Sequence, residues 1–213
     1  MRFILILISM LLASQAVAGP WPRGAGQTFF AASVRMQQNV DGEYKPNIAY
    51  YHETGISRRL TFGADIGGSI AGLDKAVAFL STHLPTTGAW AIGLDMGGGM
   101  ISEEPVVRPG FSFGRKLARK SGWLTIEGAV EYSPRIAETD WKLDLTYGFQ
   151  QREGLKYYVQ VQSGQPHAQP TFLRVAGSVT YRIAPRTWLD VGVSSRVVNS
   201  DPVRVKLGIW RSF

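Results

Sequence analysis

The chain closes on Val203 to Phe213, VRVKLGIWRSF. Val203, Val205, Leu207 and Ile209 alternate with Arg204, Lys206 and Gly208, and the aromatic Phe213 is the last residue. A period of two sends the apolar set to one face of a β-strand and the charged set to the other. Chain ends usually fray in soluble domains, so so strong a pattern predicts that this final strand closes a sheet.

The same period recurs upstream. Segments of alternating character fall at about 27–37, 46–54, 58–67, 74–83, 89–97, 105–115, 122–132, 138–150, 154–163, 171–183, 186–196 and 202–213. Most are near the 9–11 residues that a tilted membrane-crossing strand needs. Helical spacing fails: Leu143-Asp144-Leu145 and Val191-Gly192-Val193 change character at every step, which a period of 3.6 cannot place on one face.

The breaks alternate in kind. TGISRR, LPTTG, ARKSG, QQREG and IAPR are tight, whereas NVDGEYK, GSIAGL, GGMISEE, SPRIAET, SGQPHAQ and VNSD are looser and more polar. A transmembrane barrel with both termini on the periplasmic side shows that asymmetry, short turns inside and longer loops outside. Gly97-Gly98-Gly99 reads as a strand end passing into such a loop, since no Lys-Ser/Thr follows to complete a phosphate loop. Pro109 has no N–H for a ladder and predicts a bulge.

One face of these segments is almost free of charge, carrying for instance Phe30, Phe62, Leu94, Leu143, Val159, Val191 and Leu207. A soluble sandwich would turn this face inward and a membrane barrel outward. Aromatic residues at segment ends (Trp90, Tyr132, Trp141, Tyr147, Phe149, Tyr181) favour the barrel, which places aromatics at both interfaces. So does the start of the chain. Met1-Arg2 is followed by an apolar run from Phe3 to Leu12 and by Ala16-Val17-Ala18, a small-residue cleavage site, which reads as a secretory signal removed after residue 18. The expected organisation is therefore residues 1–18 as signal peptide and 19–213 as one domain: an all-β, single antiparallel up-and-down transmembrane β-barrel of about twelve strands. Closure abolishes sheet edges, so the last strand must pair with the first.

The pattern resembles the outer-membrane barrel proteins of Gram-negative bacteria, whose last strand typically carries apolar residues at every second position back from a terminal Phe. Phe213, Ile209, Leu207 and Val205 match; Arg211 stands where an apolar or aromatic residue is usual. The resemblance implies an outer-membrane location, contact with its lipid, and recognition of this strand by the barrel-insertion machinery. The stretches GPWPRGAGQTFFAAS and YYHETGISRRLTFGADIGG are similar to the opening of the phenol-degradation MetA-pathway, or transporter-like, barrel family. That likeness implies a channel and supplies no catalytic residue.

The net charge of +7 could serve nucleic acid, but export directs it to anionic lipid or acidic solutes. Zero cysteines exclude disulfides and thiolate ligands. The charged face carries the candidate pore-lining residues: basic Arg35, Arg108, Arg174, Arg196, Arg204 and Lys206, and acidic Asp65, Asp95, Glu127, Glu131 and Asp144. Most of the basic set lies on the last three strands and the first, which closure makes neighbours, and the acids lie on strands three to eight. Opposed walls of this kind orient dipolar solutes, and the positive surplus favours anions. Twelve strands tilted by about 40° give a backbone diameter of roughly 24 Å and a lumen of roughly 10 Å between side chains.

The reading is a small passive channel for small anionic or polar solutes, with no enzyme activity, cofactor or metal. The alternatives are a structural or plugged barrel without transport, and a barrel enzyme acting on lipid. The last needs a nucleophile or base with an orienting partner. His52 and His83 lie in different strands near inner ends and His167 in an outer loop, so none forms a triad, and such histidines are expected to be solvated. The segment from Gly19 through Trp21-Pro22-Arg23 to Gly26 could lie beneath the barrel or in its mouth.

Overall fold

The computed structural model describes residues 19–38, 42–69, 71–166, 169–198 and 203–213. The proposed signal peptide and His167 lie outside the described residues.

Twelve strands follow one another: β1 (Thr28–Gln38), β2 (Tyr44–Gly55), β3 (Leu60–Ser69), β4 (Gly72–His83), β5 (Trp90–Ile101) and β6 (Glu104–Leu117) in the first half. A 3-10 turn at Arg119–Ser121 leads into β7 (Gly122–Ser133), β8 (Glu138–Arg152), β9 (Leu155–Gln165), β10 (Phe172–Ala184), β11 (Thr187–Val198) and β12 (Arg204–Ser212). Each strand pairs antiparallel with the next, and β12 returns to β1 to close the barrel. The closing ladder runs from Phe29 opposite Ser212 to Gln37 opposite Arg204, and the Phe213 N–H donates to the Thr28 carbonyl at 2.9 Å. The end of the barrel that holds Thr28 and Phe213 is called the inner end, and the opposite end the outer.

Alternation decides which face meets what. Thr180, Lys156, Asp190 and Thr125 are buried, while Met96, Val193 and Leu207 are exposed. Polar inside and apolar outside inverts the order of a water-soluble domain. A continuous apolar belt of this extent needs hydrocarbon around it. Among the described residues there is one closed sheet and no second layer, so the sandwich reading fails. Among the described residues no helix is long and apolar enough to cross a membrane.

Three expectations are corrected. The outer loops are not uniformly long: β5 and β6 are joined by Ser102 and Glu103 alone, with φ of 49° and 67°. Positive φ at both central positions is the geometry whose twist matches paired strands. Strands β3 and β4 also approach within a few residues of each other, since β3 runs to Ser69 and β4 starts at Gly72. Polar composition had suggested loop where ladder pairing continues.

The glycine run Gly97-Gly98-Gly99 is likewise strand, inside β5. A Cβ on Gly99 would stand 2.0 Å from the Ala76 carbonyl oxygen, and one on Gly97 would meet Phe79 and Val77 at 3.0 and 3.2 Å. Glycine is used there because the β4 backbone at Ala76 and Ala78 approaches too closely for a Cβ.

Pro109 makes no bulge. It stays in register with Met96 of β5, and the β7 ladder lapses between Val107–Tyr132 and Gly110–Ala129 without shifting. The missing N–H is accommodated by an open rung, not by an inserted residue. The register shifts lie elsewhere, at Gly67/Gly68, Gln150/Arg152, Leu173/Arg174 and Arg182/Ala184.

Candidate functional site

The inner faces enclose a cavity of about 550 Å³. Its chemistry follows from strand parity: on β4 the inward residues are Lys75, Val77, Phe79, Ser81 and His83, and on β12 they are Arg204, Lys206, Gly208 and Trp210.

Of the residues expected to line a pore, Arg35, Asp65, Asp95, Arg108, Glu127, Arg204 and Lys206 surround this cavity. Arg174 joins Arg35, Arg204 and Lys206 at a smaller hollow. Three of the expected residues reach neither. Glu131 forms an ion pair with Arg108 at 3.5 Å, Asp144 is held by Lys142 at 2.8 Å, and Arg196 sits opposite Arg174, both guanidiniums lying over the Phe172 ring at 4.8 and 5.1 Å.

The walls are less polarised than the strand positions implied. On the acidic side, Asp65 binds Lys75 and Arg108, each at 2.8 Å. Arg108 reaches Asp65 from β6 across β4 and β5, and the bare inner face of Gly97 and Gly99 lies along that span. On the basic side, Asp190 is buried and binds Lys206 at 2.9 Å. The Tyr158 hydroxyl donates to Asp190, within 2.9 Å of both oxygens, and Lys206 also reaches that hydroxyl. Asp95 accepts from Ser81. Arg35 is different: it faces Lys206 across the seam, and among the described residues no hydrogen bond or ion pair occupies its guanidinium. Charge that strands β1 and β10 to β12 bring together is thus neutralised at Lys206 and open at Arg35.

The leading segment lies in the barrel, not beneath it. Pro20 and Trp21 abut Gly114, where a Cβ would stand 2.4 and 3.0 Å from them, and Gly19 lies against Thr125. The Pro20 carbonyl contacts His83 Nδ1 at 3.0 Å, and His83 Nε2 reaches Thr61 Oγ1 at 3.3 Å. His83 is therefore buried, contrary to the expectation for a strand-end histidine. Arg23 donates to Glu53 at 2.6 Å, and Glu53 also accepts from the Tyr51 hydroxyl at 2.7 Å. His52 points the other way, bonding Tyr50 and Thr54 on the outer face.

Glu53, Lys75, Lys142 and Asp190 share the parity of the charged face but were not among the expected pore-lining residues. Sequence reasoning missed the lumenal aromatics Tyr51, Phe79, Tyr158 and Trp210, all of which line the cavity. Parity held the signal: Phe29-Phe30, Tyr50-Tyr51 and Tyr157-Tyr158 are doublets, and one member of each must turn inward. Among the described residues no group of three or more His, Asp and Glu is placed to hold a metal ion.

No family model matches the chain, and no curated protein matches it. Solved structures do. The KdgM porin superposes with a TM-score of 0.65 at 10% identity, covering 87% of this chain and 99% of its own. A second structure of that porin, in complex with disordered oligogalacturonate, gives 0.63 at 11% identity with the same coverage. The COG4313 outer membrane channel from Pseudomonas putida F1 gives 0.66 at 9% identity, covering 92% of this chain and 99% of its own. At such identities the likeness is one of fold, that of outer-membrane barrels spanning nearly the whole described chain.

Proposed function

We propose that the chain is a small channel of a bacterial outer membrane whose net basic lumen favours small anionic or polar solutes. The observation that carries this reading is the unoccupied guanidinium of Arg35, which lines the cavity with Arg204 and Lys206. A cation held in a narrow lumen without a partner attracts a counter-ion and repels like charge. Arg174 extends the same wall. One of the barrels similar in fold is named with an acidic oligosaccharide; an acidic solute is proposed for this chain on its own arginines. Export behind a signal peptide cleaved after residue 18, insertion through the strand that ends in Phe213, and membership of the phenol-degradation MetA-pathway group belong to the same proposal. Phe79, Tyr51, Tyr158 and Trp210 serve as packing walls, and no step of bond chemistry is assigned.

Planar-bilayer recordings in a salt gradient test the reading. Discrete conductance with a reversal potential on the anion side is expected; cation selectivity overturns the solute preference.

A plugged barrel is the second reading, favoured by the position of Pro20 and Trp21 against Gly114 within the inner end. Absence of any conductance from a correctly folded barrel, restored by removing residues 19–23, would establish it.

A further inference from the structure

The charges outside the lumen are sorted by end. The β2–β3 turn carries Arg58 and Arg59, the β10–β11 turn carries Arg186, and the end of β6 with the turn to β7 brings Arg115, Lys116, Arg119 and Lys120 within six residues. The acid at this rim, Glu153, is taken by Arg182 at 2.7 Å. At the outer end the β5–β6 and β7–β8 hairpins bring Glu103, Glu104, Glu138 and Asp140 instead, with Arg135 bound to Glu104.

The β6–β7 cluster is also aimed. Arg115 stands cross-strand from Trp90, and its guanidinium lies 4.6 Å from the Trp90 ring centroid. Trp90 in turn packs on Phe113 at 5.0 Å. Lys120 lies 5.3 Å from the Phe149 ring, which stacks on Tyr157 at 5.7 Å. These rings sit on the outward, apolar face, so the cations seated on them face the surroundings of the barrel and not its mouth. Among the described residues no carboxylate engages Arg115, Arg119 or Lys120.

We propose that this rim, centred on Arg115, Arg119 and Lys120, is a docking surface for anionic phospholipid headgroups of the leaflet around the inner end. A phosphate diester suits the site on three counts. Arginine forks bind its oxygens in pairs. Basic side chains at a membrane surface each attract anionic lipid. The rings beneath them sit at the depth where aromatics meet headgroups. A soluble acidic partner would use cations turned toward the mouth, and it has no use for the outward rings. The proposal rests on the outer-membrane reading of the chain but not on its conducting.

The test uses brominated lipids as quenchers of tryptophan. Trp90 and Trp141 are outward-facing, at the inner and outer ends respectively, so a Trp90→Phe variant separates the two interfaces. The full barrel is folded into phosphatidylcholine vesicles containing brominated phosphatidylglycerol or, in a parallel arm, brominated phosphatidylcholine. Expected is a preference of about threefold or more for phosphatidylglycerol around Trp90, weakened by salt and lost in the Arg115→Gln/Arg119→Gln/Lys120→Gln variant. A heat-modifiable gel shift confirms that this variant is folded. Equal quenching by the two lipids overturns the proposal, and so does a preference that survives the triple substitution. Binding of isolated peptidoglycan that depends on the three cations, without any lipid preference, assigns the rim to a wall polymer and also overturns it. A lipid preference in a barrel that passes no current leaves the proposal standing while the channel reading falls.

Discussion

Arg23 and Glu53 meet inside the barrel at 2.6 Å, thirty residues apart in sequence and both buried. The guanidinium also lies 4.5 Å from the Phe29 ring. With the Tyr51 hydroxyl on the other carboxylate oxygen, this pair ties the segment before β1 to the inner wall.

Breaking a buried pair by removing one partner costs about 3–5 kcal/mol, because the other charge is left without compensation. Arg23→Ala is therefore expected to release the leading segment and to raise single-channel conductance by about twofold or more, since the inner constriction widens. Glu53→Gln acts in the same direction. Unchanged current in both variants would show that the tether does not limit passage.

Arg35→Glu places an acid opposite Lys206 and removes the open cation. The anion-to-cation permeability ratio, read from reversal potentials, is expected to fall by about threefold or more, with little change in unfolding midpoint. Arg108→Gln, by contrast, strips Asp65 of a buried partner and lowers stability as well as changing current.

Tyr158→Phe leaves the buried Asp190 carboxylate with Lys206 as its remaining partner. A lost hydrogen bond to a buried charge costs about 1–3 kcal/mol. The urea midpoint of the folded barrel should drop accordingly, and an Asp190→Asn change made on top should add less than it costs alone.

Gly99→Val drives side-chain atoms into the Ala76 carbonyl, which is backbone and cannot yield as a flexible side chain can. A strong loss of folded barrel on a heat-modifiable gel is expected. Gly177→Ala, where a Cβ meets nothing within 4 Å, is the matched control and should fold normally.

Phe213→Ala retains the backbone bond to Thr28 but removes ring contacts to Phe30 at 6.0 Å and to the Arg211 guanidinium at 4.7 Å. About 1 kcal/mol of seam stability should go with them, as a lower urea midpoint.

Much of this architecture was legible because a period of two is a strong local signal that burial on one face enforces. Leu207 and Lys206 fall on opposite faces as their chemistry requires, and the seam from β12 to β1 follows from closure. What sequence could not settle was reach. That Arg108 crosses two strands to Asp65 depends on the bare inner face of β5, a property of three-dimensional packing. That Asp190 neutralises Lys206 depends on the register between β11 and β12. The glycine run and the polar hairpins misled because local propensity favours turns there, while the partners Ala76, Val77 and Pro105 extend the ladder. The leading segment has no periodicity at all, so only its contacts with His83, Gly114 and Glu53 disclose where it goes.

Because the last ladder joins Arg204–Ser212 to Thr28–Gln38, a finished molecule offers no row of bare amides to a second copy. Cross-β templating is thereby closed to the folded form, and any association between copies has to run through side chains. The hazard is confined to the interval before the two chain ends have met, when the twelve strands form an open sheet whose edges, β1 and β12, are unpaired. Protection from edge-to-edge pairing thus depends on how soon the chain's ends find each other, a matter of timing.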